Sequence, residues 1–143
     1  MTAVWLPNHL RSAGYGANYT YAYSVSNSAT PWSSTSTIRA EGVYNTSYTI
    51  YDSLLRPLQT QSPTANGGRL LTDTRYNSRG LAYETYADVF DSTTTPSGTY
   101  ARAAYGGAPK QTDTVFDGRR TPEQQQFLRL RRQEVVHHQH LHG

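Results

Sequence analysis

The chain reads as an all-β protein, a meander of antiparallel β-hairpins, with one short helix near its C-terminal end. Three observations predict this. Runs of Tyr, Thr, Val and Ile alternate with polar residues at a period of two, which places one set of side chains on one face of a strand. Turn-forming clusters recur between these runs, with Asn66-Gly67-Gly68 the strongest hairpin signal. No long helical pattern interrupts the body, and strands at such close spacing pair antiparallel.

Trp5-Leu6-Pro7 opens a loop. Tyr19 to Ser26 is the cleanest alternation, with Tyr19, Tyr21, Tyr23 and Val25 on one face. One reading is a strand burying an aromatic ladder. The other is a carbohydrate contact strip made by Tyr19, Tyr21 and Tyr23, since tyrosine joins a flat apolar face to a hydroxyl. Asn27 to Thr37 is Ser/Thr-rich around Pro31-Trp32 and reads as a linker or long turn. Strands are expected near 46–51, 56–61, 69–76, 81–90, 99–104 and 110–116, with Gly106-Gly107-Ala108-Pro109 dividing the last two. Thr93 to Gly98 reads as a loop. Thr121-Pro122-Glu123 has the form of an N-cap, a first-turn proline and an acidic first turn, so a helix is expected over Gln124 to Val135.

Two phrases share one grammar: Tyr51-Asp52-Ser53-Leu54-Leu55-Arg56-Pro57 and Tyr76-Asn77-Ser78-Arg79-Gly80-Leu81. Each sets an aromatic before a turn-former whose side chain can bond the backbone two residues on. A third copy starts at Phe116-Asp117-Gly118. The copies resemble the YD repeat, Y-D-x-x-G-R-hydrophobic, of RHS/YD-repeat proteins. Tyr51, Asp52 and Arg56 match it, with Leu55 in place of the usual glycine. Tyr76 and Gly80 match in the second copy, with Asn77 for Asp and Leu81 for Arg, and the third keeps Phe116 and Asp117. Gly80 is expected at positive φ, and Leu55 is expected to force a different turn. The segment 43–117 thus resembles a wall segment of a bacterial RHS protein of actinobacterial type. The resemblance implies strands spiralling into a large β-shell around a C-terminal effector, often a toxin, in a secreted or cell-surface parent. The shell's remainder and that effector are the partners it implies, with no catalysis in this segment. The alternative is an extracellular adhesion module holding cell-surface carbohydrate on exposed tyrosines.

The 143 residues allow one ordinary domain, which divides by character into 1–42, 43–118 and 119–143. The first zone reads as a partial preceding repeat plus linker, the second as the YD-repeat segment, the third as a basic, His-rich tail. Only 36% of residues are apolar and 12 are Tyr, so the sheet is expected to be papered with Tyr and Thr and to need more chain for stability. Residues 1–118 hold eight basic and eight acidic side chains, so the net charge of +3 belongs to the tail. Read one nucleotide out of frame, 127–143 permits a Tyr-, Thr- and Trp-rich continuation like the body. The tail is therefore read as an out-of-frame translation whose helix is local in origin and projects from the sheet.

With no cysteine, thiol chemistry and disulfides are excluded. No apolar run approaches the length of a membrane span, and the N-terminus lacks the pattern of a signal peptide. His137, His138, His140 and His142 carry metal-binding chemistry but no fixed geometry, so no metal or other cofactor is expected. The arginines at 129, 131 and 132 read as a solvated tail rather than a nucleic-acid site. Asp52, Asp73, Asp88, Asp91, Asp113 and Asp117 have no pocket motif around them, His9 stands alone, and no enzyme is expected.

Overall fold

A computed structural model describes residues 1–103 and 108–116, and the backbone of 122–129. Among the described residues, nine antiparallel strands form one open sheet in sequence order. They are β1 (Thr2–Val4), β2 (Tyr19–Ser24), β3 (Trp32–Ala40), β4 (Val43–Tyr51), β5 (Pro57–Pro63), β6 (Arg69–Tyr76), β7 (Ala82–Asp91), β8 (Lys110–Phe116) and β9 (Pro122–Arg129). A 3-10 turn, Arg11–Ala13, lies between β1 and β2. The meander expected from the sequence is the fold. The sheet runs from β3 into β4 across positions 42–43 and pairs β8 with β9, so the changes of sequence character do not interrupt it.

Three expectations are corrected. Residues 32–37, read as linker, belong to β3, where Trp32, Ser34, Ser36 and Ile38 face one way and Ser33, Thr35 and Thr37 the other. Serine and threonine on both faces hide the alternation. Residues 122–129, expected as helix, pair with β8 from Phe116↔Pro122 to Lys110↔Arg129. Ladder pairing with β8 overrides the local helix preference, as tertiary context commonly does. The projecting helix foreseen for an out-of-frame tail is thus absent over 122–129. Residues 130–143, with the four tail histidines and the arginines at 131 and 132, lie outside the described residues. The third correction concerns 99–103, which is no sheet strand but an extended strap crossing one face.

That face is the core side, and it is half polar. Ile50, Leu71, Tyr86, Ala103 and Ala108 are buried there beside Gln59, Gln61, Arg69, Asp73 and Gln111. Ladder register puts Trp32, Ile50, Gln59, Asp73, Tyr86 and Gln111 in one row across six strands. The strap covers that row. Trp32 meets Tyr48 edge-on at 5.3 Å between ring centroids. Gly98 passes directly over the Trp32 indole, and a Cβ there would lie 2.5 Å from the ring.

Candidate functional site

Three places in the sheet carry organised side-chain chemistry: the hairpin turns, the strap, and the open face.

The turns come first because sequence singled them out. At the first, Asp52 N–H donates to Arg56 O at 3.0 Å and Leu55 N–H donates to Asp52 O at 3.0 Å. Asp52 Oδ1 accepts from Leu54 N at 2.9 Å and Arg56 N at 3.0 Å. The second turn repeats all four bonds. Asn77 N–H donates to Leu81 O at 2.9 Å, Gly80 N–H donates to Asn77 O at 2.9 Å, and Asn77 Oδ1 accepts from Arg79 N and Leu81 N at 2.9 and 3.0 Å. Gly80 has φ 79° as expected, but Leu55 has φ 58°. The expectation of a different turn at Leu55 is therefore wrong. Left-handed backbone costs a Leu roughly 1–2 kcal/mol, and the bonds to Asp52 outweigh that cost.

The copies also share a bulge. Ile50↔Gln59 is followed by Tyr51↔Pro57, Arg75↔Glu84 by Tyr76↔Ala82, and Val115↔Gln124 by Phe116↔Pro122. In each, the pairing skips one residue of the returning strand next to the aromatic of the motif, and five residues separate the aromatic from its partner. Asp117 itself lies outside the described residues, but its hairpin has the register of the other two. The two described turns also touch. The Arg56 guanidinium pairs with Asp52 Oδ2 at 2.7 Å and lies over the Tyr76 ring at 4.4 Å. Tyr76 donates its hydroxyl to Pro57 O at 2.7 Å, which ties the second turn to β5. Burial works against the Asp52 charge, yet the Arg56 and Leu54 amides and the Arg56 guanidinium hold its carboxyl below the ordinary value.

The strap is bound by side chains acting as a ladder. Gln59 offers its amide to Ala101 O and accepts from Ala101 N, while Gln61 donates to Thr99 O and accepts from Ser97 N. Ala103 N–H donates to Asp73 Oδ2 at 3.2 Å, and Arg75 donates to Ala103 O at 2.7 Å. Tyr100 donates its hydroxyl to the Asp73 carboxylate at 3.0 Å. Strand-forming residues satisfy their backbone here through glutamine amides because β7 and β8 already pair with each other. Burial pushes the Asp73 carboxyl up despite the Tyr100 and Ala103 bonds, and burial beside Asp73 pushes the Tyr100 phenol up to about 12. Around this network Arg69 bonds Asp91 and Gln61, and Arg75 bonds Glu84 at 2.6 Å and Tyr86 at 3.0 Å. Thr93 bonds hold the Asp91 carboxyl at about 2, helped by Arg69.

Asp88 and Asp113 are held locally: Asp88 pairs with Lys110 at the β7 bulge, and Gln111 donates to Asp113. His9, expected alone, stacks on Tyr15 at 4.5 Å and lies 3.3 Å from Glu41 Oε2. No group of three metal-ligating side chains comes together among the described residues.

The open face holds the tyrosine ladder. Register places Tyr19, Tyr21 and Tyr23 opposite Thr37, Thr35 and Ser33, on the side away from the core row. Tyr23 is 78% exposed and Tyr21 42%, so the buried-ladder reading is corrected: these rings face solvent. Beyond them, hydroxyls line up across the strands, Ser33↔Thr49, Thr49↔Thr60 and Thr60↔Thr72. Next to Tyr23 lies a shallow groove of about 230 Å³, walled by Val25, Pro31, Tyr51 and Leu55. Sequence reasoning missed the Gln59–Gln61 pair and this hydroxyl row. For the row, the period-two serines and threonines of 33–37, 47–49 and 60–62 were the available signal.

No protein family, curated protein or solved structure matches this chain.

Proposed function

We propose that this chain is a non-catalytic structural segment, a piece of an RHS/YD-repeat type wall whose parent protein encloses or presents a C-terminal effector outside the cell. One observation carries the reading: three hairpins at different places share one bulged register and, where described, one turn bond for bond. A sheet made of one reiterated hairpin unit extends by adding units, as repeat proteins do. The polar core fits the same role. Buried glutamines and arginines fix strand and strap positions through hydrogen bonds rather than through a large apolar interior.

The test is an insertion. Residues 52–76 form one 25-residue period, a turn with β5 and β6, and a second copy placed between Tyr76 and Asn77 keeps the register. The expected product folds with two further strands and a urea midpoint at or above the parent's. An insert that unfolds the chain, or stays disordered by amide exchange, removes the basis for a wall.

A second reading, an adhesion module for cell-surface carbohydrate, is favoured by the solvent exposure of Tyr21 and Tyr23. It is tested by glycan binding that disappears in Tyr21→Ala and Tyr23→Ala.

A further inference from the structure

The open face has a property that exposure of the tyrosines does not require. Its hydroxyl row runs from Tyr23 through Ser33, Thr49 and Thr60 to Thr72, one residue per strand over five strands. With neighbouring strands ~4.8 Å apart, the row is about 19 Å long. None of these side chains is acidic or basic. The nearby charges are already paired or face away: Arg69 and Asp73 are buried on the opposite face, Arg56 is bound to Asp52 in its turn, and Lys110, on the same face two strands beyond Thr72, pairs with Asp88 at 2.6 Å. The row begins at the groove beside Tyr23. There the Tyr51 hydroxyl is 2.9 Å from Ser33 Oγ, while Val25, Pro31 and Leu55 supply apolar walls.

We propose that this groove and row form one binding track for an uncharged polysaccharide chain lying across the strands. The proposal rests on the carbohydrate reading above and names the class of glycan and the residues. Three features select that occupant. A sugar ring presents apolar C–H faces edged by hydroxyls, which suits a tyrosine plane next to aliphatic walls. Ser, Thr and Tyr hydroxyls both donate and accept, so they match sugar hydroxyls in either sense. The interstrand spacing is close to the length of one sugar ring, so a polymer can meet a hydroxyl on each strand it crosses. A polyanion finds no free cation along the row, and shedding its hydration without an ion pair is unfavourable.

The experiment is affinity electrophoresis of the full chain. The gels contain soluble neutral β-glucan, galactomannan or amylopectin, with heparin as the anionic comparison. Retardation is expected in at least one neutral gel, and any retardation in heparin, to which the basic tail contributes, should be unchanged by Tyr23→Ala. Tyr23→Ala should weaken it by at least ~10-fold through loss of the stacking plane. Tyr51→Phe and Thr60→Val each remove one hydroxyl while keeping shape and strand preference, and each should weaken it ~3–10-fold. Tyr83→Ala, an exposed aromatic on β7 and off the row, should leave it unchanged. Circular dichroism of each variant separates loss of the site from loss of the fold. Neutral-glycan binding indifferent to Tyr51→Phe and Thr60→Val overturns the track while sparing the carbohydrate reading. Retardation by heparin alone also overturns the track, leaving a reading for charged glycans. Absence of retardation in every gel overturns both.

Discussion

The turn after Tyr51 and the turn after Tyr76 have the same backbone and different side chains. Asp52 stands where Asn77 stands, Leu55 where Gly80 stands, and Arg56 where Leu81 stands. All four backbone and side-chain bonds nevertheless agree within 0.1 Å. What the two have in common is one Asx oxygen that collects two amides and a carbonyl that collects a third. Glycine at the left-handed position and the charge on the Asx residue are therefore separable from the turn itself. The first turn adds an ion pair between Asp52 and Arg56 and accepts a strained leucine, while the second has the unstrained glycine and an uncharged Asn77.

The largest effect that would break the comparison is expected at Gly80. Its φ of 79° is open to glycine and hostile to a β-branched residue. A Cβ there would also meet Arg56 Nη1 at 3.0 Å, although that guanidinium is the mobile end of its side chain. Gly80→Val should cost about 2 kcal/mol in urea unfolding, while Gly80→Leu should cost about 1 kcal/mol, since leucine already tolerates this geometry at position 55. Equal costs for the two would mean that contact with Arg56, not backbone strain, governs the site.

Next in size is removal of the Asx oxygen. Asp52→Ala and Asn77→Ala each orphan two amides, and each should lose about 1–2 kcal/mol, as loss of a helix N-cap does. Asp52→Ala should be the larger loss because Arg56 is left without its carboxylate. Should Asn77→Ala prove neutral, the bond-for-bond likeness of the turns would have no energetic meaning. Smaller, and opposite in sign, is Leu55→Gly. Relief of left-handed strain outweighs the added freedom of the unfolded chain, so a gain of up to about 0.5 kcal/mol is expected from the same denaturation curves.

How much of this was legible in sequence depends on how far each interaction reaches. The turns were readable because every partner of Asp52 and Asn77 lies within four residues. Their φ at Leu55 was not, because side-chain bonds outvoted residue preference. Residues 99–103 of the strap were expected as a sheet strand, but the strap's partners Gln59 and Gln61 lie 36 to 42 positions away. Nothing local distinguishes a ladder made with glutamine amides from one made with backbone. The helix expected over 122–129 failed for the same reason. Its cap and propensities are local, and pairing with β8 is not. The ladder at Tyr19, Tyr21 and Tyr23 showed its period plainly, but the solvent exposure of Tyr21 and Tyr23 depended on which face of the whole sheet the chain covers, and that is not local.

The smallest expected effect sharpens the role of charge, and acid separates it from shape. Asp52→Asn keeps the oxygen that holds Leu54 and Arg56 and gives the first turn the side chain of the second. Only the ion pair is lost, a partly exposed contact worth about 0.5 kcal/mol. Because the folded carboxyl of Asp52 is held below its ordinary value, its stabilisation is present above about pH 4 and is lost as pH falls through the folded value. Asp73 acts in the opposite direction. Burial raises it, so its ionisation costs stability as pH rises, and it contributes equally to both proteins. The wild type should therefore exceed Asp52→Asn at neutral pH by about 0.5 kcal/mol, and the gap should narrow toward zero as acid takes the Asp52 carboxylate through its lowered folded value. Urea midpoints of the two proteins across that range measure the gap directly. A gap that stays constant as the acid is added would show that Asp52 holds its turn by shape alone, as Asn77 does.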